Sequence, residues 1–175
     1  QLTADAASST YFVALSDEEA IKWLVVNKKY NEVGSKETVA KWRKLATEMS
    51  YFGPVAWKVK AGFTLKSHAP KAGPCYKQFD YLQDWNFSDE PTKDCLVFWI
   101  PRLVPGSTGK TYTEQLTLLG EIRTRFHLPP GHLSNLGTAA LNAGLILAHH
   151  KRVGEQVPLD RYWIRTDTCY ADGNR

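Results

Sequence analysis

Twelve consecutive residues, from Val55 to Lys66, alternate between two kinds of side chain. Val55, Trp57, Val59, Ala61, Phe63 and Leu65 fall on one register; Ala56, Lys58, Lys60, Gly62, Thr64 and Lys66 fall on the other. A period of two is the repeat of an extended chain, whose successive side chains point to opposite faces. The pattern predicts one long strand over Val55–Lys66, its greasy side in a core and its ammonium groups in water. Gly62 inside it marks a bulge or a close backbone approach.

A strand greasy on one side needs a covering layer, and the rest of the chain supplies amphipathic helices. Ser16 with Glu19 three positions on forms a capping box, and Ile21, Leu24 and Val25 follow at helical spacing up to Asn27. Ser35 is expected to open a second helix, with Val39, Trp42, Ala46 and Met49 on its apolar side. Glu37 with Lys41 and Lys44 with Glu48 are expected to pair across its exposed side. A third helix is expected over Thr113–Phe126 and a fourth over about Ser134–Arg152. In the fourth, Ala140, Gly144 and Ala148 recur every four residues and would admit a neighbour close to the helix backbone.

Two further strands are expected, an apolar one over Cys95–Ile100 and a last one over Arg161–Tyr170. Strands grouped apart from helices predict an α+β fold, a small mainly antiparallel sheet with helices packed on one face. The expected organisation is a flexible tail over 1–10 and a single domain over 11–175. The Asp172-Gly173 turn signal at its end suggests a truncated partner strand. Trp42, Trp57, Phe63, Leu96, Phe98, Leu119, Ile122, Leu141, Leu145 and Ile164 are the expected core.

Composition narrows the classes. At 43% hydrophobic and 23% charged residues, the chain resembles an ordinary globular domain and not a disordered one. The apolar run Leu136–Ala148 is shorter than the ~20 residues a bilayer span requires, so no membrane partner is expected. Cys75, Cys95 and Cys169 are an odd number without CxxC spacing, which favours a reducing, cytoplasmic setting. The start at Gln1 leaves export through a removed leader open. Among His68, His127, His132, His149 and His150 no HxxxH or HExxH spacing occurs, so no metal and no cofactor is expected.

The charge is local. Between Pro54 and Tyr81 stand Lys58, Lys60, Lys66, Lys71 and Lys77 against Asp80 alone, which accounts for the whole net charge of +4. Lysines on one sheet face near Tyr76, Phe79 and Tyr81 suit a phosphate backbone. A solvated strand face guarded by lysine accounts for the same residues. The stretch Val33 to Lys44 resembles the turn and recognition helix of helix-turn-helix DNA-binding proteins. That resemblance implies Ser35 as cap, Val39 and Trp42 as anchors, and Lys36, Thr38, Lys41 and Arg43 facing DNA.

The expected function is therefore a non-enzymatic binding domain for nucleic acid or another macromolecule, with contacts from Lys58, Lys60, Lys66, Lys41 and Arg43. An alternative is a small hydrolase or nucleotide-binding enzyme. Val104-Pro105-Gly106-Ser107-Thr108-Gly109-Lys110-Thr111 resembles a phosphate-binding P-loop without its first glycine, and this reading uses Lys110 with Thr111 on magnesium, or Asp167 and Cys169. A third reading is a protein-interaction or structural module, docking a partner through the acidic aromatic stretch with Trp85 and Phe87.

Overall fold

The computed structural model describes residues 11–68, 85–157 and 164–168. The tail 1–10, Lys71, Lys77, Cys75, Cys169, Tyr76, Phe79, Tyr81 and the Asp172-Gly173 turn lie outside the described residues. In chain order the described elements are β1 (Phe12–Leu15), α1 (Asp17–Val26), α2 (Glu32–Glu48), β2 (Ala56–Val59), β3 (Cys95–Phe98), α3 (Tyr112–Arg125) and α4 (Ala139–Val153). The strands form an antiparallel sheet in the order β1-β2-β3, with helices packed on it, so the class is α+β.

The expected sheet is corrected in two places. The long strand is four residues, because Ala61 and Gly62 turn the chain and Gly62 takes φ +102°, outside the extended region. Burial nevertheless keeps the period of two beyond the turn: Phe63 and Leu65 are each 1% exposed, while Lys58, Lys60 and Lys66 are exposed. Of the strand expected over Arg161–Tyr170, residues 164–168 carry no strand, and Ile164 is exposed and not in the core. The third strand is β1, where an aromatic and β-branched run precedes the Ser16 cap.

The chain divides into two compact units, one of Gln1–Val13, Lys58–Cys95 and Leu136–Arg175, the other of Ala14–Trp57 and Leu96–Asn135. The second holds α1, α2 and α3. Its first cluster gathers Trp42, Leu45, Ala46, Tyr51, Val55, Phe126 and Leu128. Its second gathers Ala20, Leu24, Val39 and Ala56, with Leu15 and Leu96 against them. Phe98 packs on both, and Trp42 lies flat on it at 5.2 Å and 8°.

Helix ends follow local chemistry. Ser16 and Glu19 form the expected reciprocal capping box. The second helix begins earlier than expected: Asn31 is the cap, its side chain accepting from Gly34 N–H at 2.7 Å, and Ser35 is buried inside the first turn. The pairs expected within α2 are replaced as well. Lys36 binds Glu32 at 2.6 Å, and Glu48 binds Arg125 of α3. The fourth helix starts five residues late, at Ala139, because Gly137 has φ +73° and Thr138 supplies the cap.

In the first unit, α4 is the most enclosed helix, burying Ala140, Ala143, Gly144, Leu145, Ile146, Leu147 and His149. The close approach expected at its small residues is made by Phe12. A Cβ on Gly144 would stand 2.1 Å from Phe12 Cζ, and Phe12 is itself held edge-on by Phe63 at 5.0 Å. In a free helix Gly→Ala gains about 1 kcal/mol. Here overpacking opposes it with about 1–3 kcal/mol. Gly144→Ala should therefore lower the urea midpoint, and should cost less in a Phe12→Leu background; a raised midpoint would refute the contact.

Candidate functional site

Lys58 lies within β2 and Lys60 directly after it, both exposed, two positions apart and so on one side of the strand. Lys60 N–H donates to Tyr11 O at 2.8 Å, which keeps the backbone extended there and places Val13 opposite Lys58 across the antiparallel pair. Val13 is 43% exposed, so this part of the sheet face is open to water. Among the described residues no carboxylate pairs with Lys58 or Lys60.

Lys66 comes after the turn and is placed differently. Its backbone N–H donates to Ser88 O at 3.0 Å, and its ammonium stands 3.5 Å from Asp89. Gly62 N–H donates to Thr92 O and Thr92 N–H to Phe63 O, so residues 88–94 run beside residues 60–66. Thr92 ties the two together, its hydroxyl donating to Lys60 O at 2.8 Å and accepting from Phe63 N–H at 3.0 Å. This brings the exposed Asp89, Glu90 and Asp94 among the lysines, with Asp94 accepting from Ala61 N–H at 3.1 Å. With Lys93 in the same segment, residues 88–94 set a net charge of −2 beside Lys58, Lys60 and Lys66.

The α2 candidates separate in the same way. Lys41 is half-buried and, among the described residues, has no carboxylate partner. Arg43 is held on three sides. Its Nη2 and Nε reach the two oxygens of Asp17 at 2.7 and 3.1 Å, and its Nη1 donates to Gly53 O at 2.7 Å. The Asp17 carboxylate holds the guanidinium pKa above its ordinary value. Thr38, expected to face DNA, is instead 3% exposed, its hydroxyl donating back to Gly34 O. Val39 and Trp42 are buried as anchors.

The remaining candidates have local roles. Gly106 and Gly109 take the left-handed φ of +75° and +69° in an open turn before α3. Thr111, assigned to magnesium by the P-loop likeness, caps α3 in a capping box with Glu114. The Glu114 carboxylate accepts from Thr111 N–H at 2.6 Å, and that bond lowers its pKa. A carboxylate therefore already occupies the helix end where a phosphate would sit. Asp167 receives the N–H groups of Leu136 and Gly137, each at 2.9 Å, ahead of α4. Trp85 stacks on Phe87 at 5.9 Å, with Phe87 buried and Trp85 37% exposed.

Cys95 is a free thiol whose pKa is raised, first by burial and then by Asp94. Among the described residues no group of three or more His, Cys, Asp or Glu is placed to hold a metal ion, and no helix is long and apolar enough to cross a membrane. A constellation absent from the sequence reading surrounds His132, whose ring is met by Trp42 and Tyr30 at separations of 90 and 102 residues. No local spacing could have revealed it. The capping box at Thr111 was readable, since Thr and Glu stand three apart before an apolar run.

The chain matches no protein-family model, no curated protein and no solved structure.

Arg43 and Lys58 should respond unequally to truncation. Arg43→Ala removes a two-pronged, half-exposed ion pair and a carbonyl bond, and should cost about 1–2 kcal/mol. Lys58→Ala should stay within about 0.5 kcal/mol of wild type. Equal urea midpoints for the two variants would show that Arg43 holds nothing together.

Proposed function

We propose that this chain is a non-enzymatic binding domain for a polyanionic macromolecule, nucleic acid first, engaged through Lys58 and Lys60. The observation that carries the reading is the pair of exposed ammonium groups on one side of an extended backbone, free of carboxylate partners among the described residues. Two strand residues span about 7 Å. That is close to two axial steps of about 3.4 Å along one nucleic-acid strand. A flexible lysine stem suits a phosphate as a point charge and reads no base.

Lys66 contributes less, because Asp89 competes for its ammonium. Lys41, in the other unit, stands as a separate contact. Arg43 is a structural residue in this reading, since leaving Asp17 and Gly53 would strand a carboxylate and a carbonyl. Protein partners reached through Trp85 are the second macromolecular reading, supported by the exposed indole resting on a buried Phe87.

Electrophoretic shifts with random-sequence DNA and RNA at low and moderate salt test the proposal. Binding should fall steeply with salt, by about 0.9 in log–log slope for each phosphate neutralised on duplex and about 0.7 on single strands. Lys58→Ala with Lys60→Ala should flatten that slope by nearly two such steps. Lys66→Ala should change it less, and any loss with Arg43→Ala should follow its stability. Absence of binding, or binding indifferent to salt, overturns the reading.

A further inference from the structure

His132 sits in the connection between α3 and α4 and is ringed by side chains of the second unit. Trp42 Nε1 lies 2.9 Å from His132 Nδ1, and Tyr30 Oη lies 3.1 Å from Nε2. The rings of Phe98, Trp42 and Tyr30 stand 5.5, 6.0 and 6.4 Å from the imidazole, all tilted by 38–47°. An indole N–H can only donate. Nδ1 must therefore present its lone pair, and the neutral ring carries its proton on Nε2, where it donates to the Tyr30 hydroxyl.

We propose that His132 is a proton-sensitive latch. Its neutral ring fastens the connection over residues 128–135 to α2 through Trp42 and to the α1–α2 turn through Tyr30, and protonation at Nδ1 releases that connection. Protonated Nδ1 would meet the Trp42 N–H donor head-on, and the indole, only 4% exposed, would lose its acceptor. The charged and titratable groups facing the residue reinforce this. Tyr30 faces it from the α1–α2 turn, and Arg123 of α3 sends its guanidinium to His132 O at 3.4 Å. Trp42 from α2 and Phe98 from β3 carry no charge, and among the described residues no carboxylate pairs with the ring. Tilted aromatic rings offer an imidazolium some cation–π attraction, but not a donor's missing acceptor.

The segment also holds strained backbone. His127 and Leu133 take φ of +51° and +50°, left-handed values that residues with side chains rarely adopt. Leu128 is buried and Leu133 packs on the Trp42 cluster, so release would loosen both apolar contacts. Burial lowers the imidazole pKa. For a histidine so depressed, the latch is complete above the ordinary pKa of about 6.5 and weakens as pH falls from there towards the folded value.

The test uses the whole chain. Side-chain nitrogen spectra near neutral pH should show His132 with a bare Nδ1 and a proton on Nε2. Amide protection over residues 128–135, corrected for intrinsic exchange, should fall by up to about tenfold per pH unit below the ordinary histidine pKa. His132→Asn offers Trp42 an acceptor that cannot titrate, and should flatten this response. A proton on Nδ1 at neutral pH, protection unchanged on acidification, or the same pH response in His132→Asn overturns the proposal. Should His132→Asn not fold, the tautomer and the wild-type protection decide it alone.

Discussion

The Trp42 indole is the side chain on which the second unit most depends. It is nearly enclosed, lies flat on Phe98, and sends its N–H to His132. Phe98 packs on both apolar clusters, so one ring contact positions α2 against β3 and links the two clusters. Truncating a buried aromatic of this size removes about 3–5 kcal/mol. An exposed ion pair such as Lys36–Glu32 contributes far less, because water screens it. The placement of α2 is thus a packing decision, and the surface charges follow from it.

Helix ends impose a second constraint, and it bears on function. The first N–H groups of a helix are unpaired and electropositive, which makes helix starts natural anion sites. Here these starts are taken by the chain itself. Glu19 closes back on Ser16, Glu114 on Thr111, and Asn31 and Thr138 cap α2 and α4 with neutral oxygens. At α1 and α3 a fixed negative charge now stands where a phosphate would approach. An anion approaching these four helix starts would meet groups already engaged, and at Thr111 the helix end that a P-loop would offer to phosphate holds the Glu114 carboxylate.

What was legible in the sequence was whatever a few neighbouring residues decide. The Ser16 box, the burial alternation over Trp57–Lys60 and again over Phe63–Lys66, and the close approach at Gly144 are all local patterns, and each is present in the structure, whereas Ala56 is buried and Ala61 exposed against the expected register. The length of β2 was not legible, because alternation reports which side chains are buried and not whether the backbone stays extended through Gly62. Strand β1 escaped because four residues carry too little pattern, and its pairing with β2 depends on residues about 45 positions away. Arg43 looked like a free cation because its partner Asp17 lies 26 residues back, on another helix. Pairings across such distances are set by tertiary packing, which periodicity does not encode.

The same distinction governs the charge. Along the chain, lysines cluster between residues 58 and 66, but folding lays residues 88–94 beside them and brings three carboxylates into the cluster. A count along the sequence overstates the field that a ligand would meet. What survives is the difference between cations that folding has engaged and cations that it has left alone. Arg43 has its planar fork filled by two carboxylate oxygens and a carbonyl, and Lys66 shares its charge with Asp89. Lys58 and Lys60, on and just after the central strand, are exposed and, among the described residues, have no carboxylate partner. Binding an anion there breaks no ion pair among the described residues, whereas recruiting Arg43 would first cost the chain a contact between two helices. For that reason the cations that contribute least to stability are the ones the proposed function assigns to recognition.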